Sequence, residues 1–142
     1  MKIDSVRYRC KLSTLKTMQE ISKEKQLGNI LQVTKYIFDN NIVTEEDMEI
    51  MLRSRKRPRY EVDYRDIYMF KDISTKYEDL KFKVLTTKGR KIVAVEVFYN
   101  FINVAYNKIH GLPVNTRIDQ LEEITSEPTI LANSFSEAQV GQ

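Results

Sequence analysis

Residues 92–109, IVAVEVFYNFINVAYNKI, decide the fold class, because they fit a helix and, in their first part, a strand. Apolar side chains recur at alternating spacings of three and four, at Ile92, Val95, Tyr99, Ile102, Tyr106 and Ile109. This spacing predicts one long helix over residues 91–110, ending near Gly111 and Pro113. The alternative is a strand up to Val97 followed by a shorter helix, since residues 92–97 are rich in β-branched side chains.

The residues just before this segment alternate with a period of two. Leu80, Phe82 and Val84 are separated by Lys81 and Lys83, which predicts a strand with one apolar face and one basic face. Under the strand alternative for residues 92–97, the two strands would form a hairpin across residues 88–89.

A dense basic cluster lies further upstream, at Arg53-Ser54-Arg55-Lys56-Arg57-Pro58-Arg59, with five cations in seven residues. It follows a predicted helix that opens with Thr44 and three acids, so part of this charge suits the negative end of that helix. Clustered cations also suit the phosphates of a nucleic acid or the surface of an acidic protein. We call residues 53–59 the basic cluster.

The segment Leu80–Arg90, which closes with Leu85-Thr86-Thr87-Lys88-Gly89-Arg90 before an amphipathic helix, resembles the end of the wing in winged-helix transcriptional regulators. In that family the wing lies against the DNA backbone or minor groove, a preceding helix enters the major groove, and the last helix often forms a dimer. The resemblance implies phosphate contacts by wing cations and by adjoining cations of the basic cluster, namely Lys81, Lys83, Lys88, Arg90, Arg53, Arg55, Lys56, Arg57 and Arg59.

The remaining elements are predicted from periodicity and turn residues. Residues 1–12 alternate loosely and indicate a short strand or extended arm, and helices are expected over residues 13–25, 27–40 and from 44 onwards. Pro58 should end the helical region. Tyr60, Val62 and Tyr64 then alternate as a strand, and a polar link is expected over residues 72–78.

Length and composition indicate one soluble globular domain. The predicted elements and the winged-helix resemblance give it an α+β fold with N-terminal helices, a small β-hairpin or wing and a long C-terminal helix. The chain has 142 residues, 42% hydrophobic and 30% charged. Residues 1–113 carry a net charge of +7 and are predicted to form the domain, whereas residues 114–142 carry −4 and are predicted to be an acidic, partly disordered tail. The sequence shows no internal repeat.

Few residues are available for catalysis or metal binding. Cys10 is the only cysteine and His110 the only histidine, so a disulfide within the chain is excluded, and no zinc site or other cofactor is expected. A weaker alternative is a metal-dependent nuclease, in which Asp79-Leu80-Lys81 supplies the acid-x-lysine element with Asp63 or Asp66 upstream. The chain is therefore expected not to be an enzyme.

Together these features predict a cytoplasmic, non-enzymatic regulator that binds double-stranded DNA and forms a homodimer through the helix ending at His110. The main alternative is an inhibitor or adaptor that places the basic cluster on an acidic protein partner. The residue usage suggests an AT-rich genome, such as that of a bacterium, virus or mobile element. No apolar run approaches the ~20 residues that a membrane span needs.

Overall fold

The computed structural model describes residues 4–53, 63–86, 89 and 91–117. Its elements, in chain order, are β1 (Ser5–Lys11), α1 (Leu12–Glu24), α2 (Leu31–Asp39), α3 (Glu45–Arg53), β2 (Tyr64–Phe70), α4 (Lys71–Thr86) and α5 (Ala94–Ile109). The prediction of an α+β chain is confirmed. No helix in the described ranges combines the length and the apolar character needed to cross a bilayer.

The two strands form an antiparallel ribbon along their full lengths. Ser5 is paired with Phe70 at one end and Lys11 with Tyr64 at the other. Within the described residues, no third strand joins this ribbon. The strands come from distant parts of the chain, because the first three helices lie between them.

The order strand, helix, helix occurs twice, as β1-α1-α2 and as β2-α4-α5, with α3 between the two units. Each strand runs directly into its helix, and the ribbon ends are closed by equivalent bonds. The Leu12 amide donates to the Asp63 carbonyl and the Lys71 amide to the Asp4 carbonyl, both at 3.0 Å. Likewise α2 packs on β2 while α5 packs on β1. The chain thus has an internal two-fold relation that its sequence does not reveal.

Helix α5 forms the centre of the core. Residues 96–105 are all buried, so the helix is enclosed on almost every side rather than along a single stripe. The Tyr77 ring packs edge-on against Phe98 and Phe101, with ring centroids 5.5 and 5.2 Å apart. Residues 96–105 of this helix therefore pack within their own chain.

The predicted strand over residues 80–86 is wrong, and so is the polar link before it, because both belong to α4. Ile73, Tyr77, Leu80 and Val84 recur at spacings of four and three and face the core. Phe82, which the strand required to be buried, is 66% exposed. The four apolar residues at helical spacing therefore determine the structure here, and the alternation of Leu80, Phe82 and Val84 does not form a strand.

The other boundaries differ by smaller amounts. The second strand lies at residues 64–70, later than the alternation from Tyr60 indicated, while residues 54–62 lie outside the described ranges. Residues 94–97 are helical, so the strand alternative does not hold there. Thr44 and Asp47 form the expected start of α3, since the Thr44 hydroxyl accepts from the Asp47 amide and the Asp47 carboxylate from the Thr44 amide.

A buried ion pair joins the ribbon to α5. Lys11, the last residue of β1, is paired with Glu96 in the first turn of α5, and both side chains are almost fully buried. The Lys11 ammonium also lies 4.4 Å from the centre of the Tyr99 ring. Because Glu96 stands at the N-terminal end of α5, it interacts favourably with both the Lys11 ammonium and the partial positive charge of the helix dipole.

Removal of one member should be costly. We expect Glu96→Ala to lower the free energy of unfolding by about 3–5 kcal/mol, because it leaves the Lys11 charge buried without its partner. Urea denaturation measures this loss, and the double variant Lys11→Met/Glu96→Leu should recover much of it. As a control, Asp39→Ala, which breaks the exposed pair with Lys35, should leave the midpoint nearly unchanged. An equally small effect of Glu96→Ala would contradict this account.

A second polar contact ties the ends of α1 and α5. The Nδ1 atom of His110 lies 2.9 Å from the Tyr106 carbonyl, and its Nε2 atom lies 3.0 Å from a Glu24 carboxylate oxygen. Only a protonated ring donates to both acceptors. Burial alone lowers the pKa of His110, but the bonds to Glu24 and Tyr106 and the negative charges of Glu24 and Glu20 outweigh it and raise the pKa above 6.5.

This contact should make stability depend on pH. Because the folded pKa of His110 is raised, the contact stabilises the fold fully below pH 6.5, and the stabilisation is lost as pH rises through the folded pKa. Urea midpoints between about pH 6 and 8.5 should therefore fall more steeply for the unmodified chain than for Glu24→Gln. Parallel pH profiles for the two proteins would show that the contact contributes nothing.

Candidate nucleic-acid interface

The ribbon has one buried and one exposed face. Cys10, Ile67 and Met69 point inward and are buried. Five outward residues alternate with them and are exposed, namely Arg7, Arg9, Tyr64, Asp66 and Tyr68. Helices pack beneath the ribbon, which leaves a surface of cations and aromatic rings facing solvent.

The outward side chains contact one another across the strands. The Arg7 guanidinium lies 3.9 Å from the Asp66 carboxylate, and both side chains are at least half exposed. The Arg9 guanidinium lies 5.6 Å from the centre of the Tyr64 ring. Tyr68, the cross-strand partner of Arg7, is 49% exposed. These contacts are open to water and therefore weak, so the arginines can exchange them for a ligand.

Tyr8 fixes the ribbon to the helix beneath it. Its hydroxyl donates to a Glu78 carboxylate oxygen at 2.7 Å, and since that uses its only proton, the Ser74 hydroxyl donates to Tyr8, also at 2.7 Å. Burial, aided by the negative Glu78, raises the pKa of Tyr8 to about 12. The phenol thus remains a donor at any physiological pH, and α4 holds the middle of β1.

The basic cluster lies between α3 and β2 in the sequence. Arg53, the last residue of α3, is exposed. The other predicted contacts in the cluster, Arg55, Lys56, Arg57 and Arg59, lie outside the described residues, as do Lys88 and Arg90 of the expected wing. The described chain resumes at Asp63, which is bonded to the end of β1. The cluster therefore connects α3 to the end of the ribbon that carries Arg9 and Tyr64.

The two described wing cations do not lie on a strand face. Lys81 and Lys83 are on α4, where they pair within the helix with Glu78 at 2.9 Å and with Asp79 at 3.1 Å. Helix α4 packs under the inner face of the ribbon through Tyr8. These lysines are therefore separated from the outward arginines, which sequence reasoning did not select.

The nuclease alternative requires Asp79 and Lys81 on a strand, but both residues lie on helix α4. Asp79 is an exposed helical residue that pairs with Lys83, rather than a strand residue beside a second acid. In the described part of the chain, no three His, Cys, Asp or Glu side chains are grouped to hold a metal ion. Cys10 is buried beneath the ribbon and His110 is committed to its contact with Glu24.

A shallow groove borders the ribbon at the start of α2. It has a volume of about 500 Å³, and its apolar walls come from Leu15, Ile30, Ile67 and Tyr68. Asp66 stands at its edge and is shared with the outer face of the ribbon. The groove and the ribbon therefore form one continuous surface.

No protein family, curated protein or solved structure gives a match to this chain. Its function is therefore inferred from the geometry of the described residues and from the charge pattern of the sequence.

Loss of the Tyr8 hydroxyl should weaken the fold while preserving the interface. We expect Tyr8→Phe to lower the free energy of unfolding by about 1–3 kcal/mol, because it removes two hydrogen bonds and leaves Ser74 and Glu78 without this partner. Urea denaturation measures the loss. The outward arginines are untouched, so binding of duplex DNA by the folded fraction should stay unchanged, and a large loss of affinity would contradict a purely supporting role.

Proposed function

We propose that the protein is a non-enzymatic DNA-binding regulator that lays the outer face of the β1-β2 ribbon into the major groove of duplex DNA. The observation that carries the proposal is the exposed ribbon face with Arg7 and Arg9, in a chain whose sequence has the basic cluster shortly before β2. The major groove is about 12 Å wide and accepts a two-stranded ribbon. Among the described residues, the helices pack on the other face of the ribbon.

The side chains on this face suit base edges. Arginine donates two hydrogen bonds to guanine O6 and N7, which is the commonest specific contact in the major groove. Arg7 and Arg9 are two positions apart on one strand, so both point the same way, about 7 Å apart along the ribbon. They are held by a backbone that the helices support, rather than by a loop.

The basic cluster supplies the affinity in this arrangement. Its five cations adjoin the ribbon end in sequence, where the phosphates that flank the groove would pass. Five phosphate contacts give log affinity a slope of about −4.5 against log salt. Lys81 and Lys83, whose role was implied by the wing resemblance, are not part of this surface.

A second candidate is an adaptor or inhibitor that binds an acidic protein. The observation that favours it is the apolar groove beside Tyr68, because protein interfaces combine aromatic anchors with a polar rim. Binding to DNA at physiological salt separates the two candidates, since an adaptor of this kind has little affinity for random duplex.

Matched double variants test the proposal. Arg7→Ala/Arg9→Ala should weaken binding to a labelled duplex by about 10- to 100-fold at about 50 mM salt, and Arg55→Ala/Arg57→Ala should reduce the salt slope by about 2. Fluorescence anisotropy between about 50 and 200 mM salt measures both quantities. The control variant Lys81→Ala/Lys83→Ala also removes two positive charges, and it should change neither the affinity for duplex DNA nor the salt slope.

Two results would overturn the proposal. Absence of duplex binding at about 50 mM salt excludes DNA as the ligand and favours the protein partner. A loss caused by the Lys81/Lys83 variant and not by the Arg7/Arg9 variant moves the interface from the ribbon to α4. Circular dichroism of each variant confirms that the fold is intact.

A further inference from the structure

The internal two-fold relation assigns each β1 residue an equivalent in β2. The bonds that close the ribbon ends relate Asp4 to Asp63 and Leu12 to Lys71, so equivalent residues are 59 positions apart. On the inner face, both members of two equivalent pairs lie in or against the core, whereas in the third pair Val6 corresponds to the exposed Arg65. Tyr8 corresponds to Ile67 and Cys10 to Met69, and all four side chains belong to the hydrophobic core or pack against it.

On the outer face, the equivalent residues at the two central positions differ in chemistry. Arg7 corresponds to Asp66, and Arg9 corresponds to Tyr68. Arginine only donates hydrogen bonds, and an ionised aspartate only accepts them. One strand therefore presents two cationic donors, whereas its equivalent presents a carboxylate and a phenol.

Arginine and aspartate form hydrogen bonds with different base edges. Arginine pairs with the guanine acceptors O6 and N7, whereas aspartate accepts from the amino group of cytosine. A palindromic site would place the same base edges under both strands. Guanine acceptors under β1 would then recur under Asp66, where a carboxylate meets acceptors and no hydrogen bond forms.

We propose that one copy of this chain reads a non-palindromic duplex site, with guanine under the half of the ribbon that carries Arg7 and Arg9 and a base offering an amino group under Asp66. This rests on the proposed function, since it requires the ribbon to enter the major groove. The weak contact between Arg7 and Asp66, 3.9 Å apart and open to water, yields to the bases on binding.

Selection from a random duplex library with the full chain tests the proposal. The enriched sequence should differ from its own reverse complement about the ribbon centre. Replacing the base pairs of one half by the inverted copy of the other should weaken binding by about 10- to 100-fold. Sedimentation should show one chain on each duplex.

A variant that restores the symmetry supplies the matched control. Asp66→Arg/Tyr68→Arg makes the outward central positions of β2 identical to those of β1, so its selected sequence should shift towards a palindrome. The variant Arg7→Ala should lose the preference for guanine in one half of the selected duplex site and keep the base preference in the other half. Both changes lie on exposed positions, and circular dichroism verifies folding.

The outcomes separate this inference from the function beneath it. A palindromic sequence selected by the unmodified chain, or salt-dependent binding without any enriched sequence, overturns the asymmetric site and leaves DNA binding intact. Absence of any duplex binding at about 50 mM salt overturns both.

Discussion

The antiparallel pairing of β1 with β2 is the constraint on which the other elements depend. A two-stranded ribbon is at best marginally stable in water, and here its strands are separated by more than fifty residues, which adds the entropy of closing a long loop. The helices beneath supply the missing free energy. Cys10, Ile67 and Met69 bury their side chains among them, and Tyr8 adds polar contacts to α4. The ribbon exists because two helical layers cover one of its faces.

Helix α5 shows how closely the ribbon and the core are coupled. It is buried in the middle of the molecule, yet it carries Glu96 in its first turn and asparagines further along. Glu96 meets the charge of Lys11 at the ribbon end, and the amide of Asn107 donates to the carbonyls of Val114 and Thr116. Residues 114–116 are therefore tied to α5, and Arg117 after them is buried. Glu96, Asn103 and Asn107 each fix another chain segment against α5.

The sequence was informative where its periodicity was long. Six apolar positions from Ile92 to Ile109 indicated α5, and Thr44 with its following acids indicated α3. The prediction was wrong at residues 80–86, where the alternation of three apolar residues is typical of a strand but lies within a longer stripe of helical spacing. The pairing of β1 with β2 could not be predicted, because nothing local specifies a partner so far along the chain. Arg7 and Arg9 were consequently missed, although their alternation with buried residues was visible from the start.

The two faces of the ribbon are under different physical constraints. Packing constrains the inward residues Cys10, Ile67 and Met69, which are buried. It does not constrain the outward residues, since Arg9 and Tyr68 lose little by standing in water. A cross-strand pair such as Arg7 and Tyr68, in which the tyrosine is 49% exposed, contributes at most about 1 kcal/mol to the sheet. Under the proposed function, these outward side chains lie on the face that meets the bases, and the difference between the two strands corresponds to a duplex site whose two halves differ.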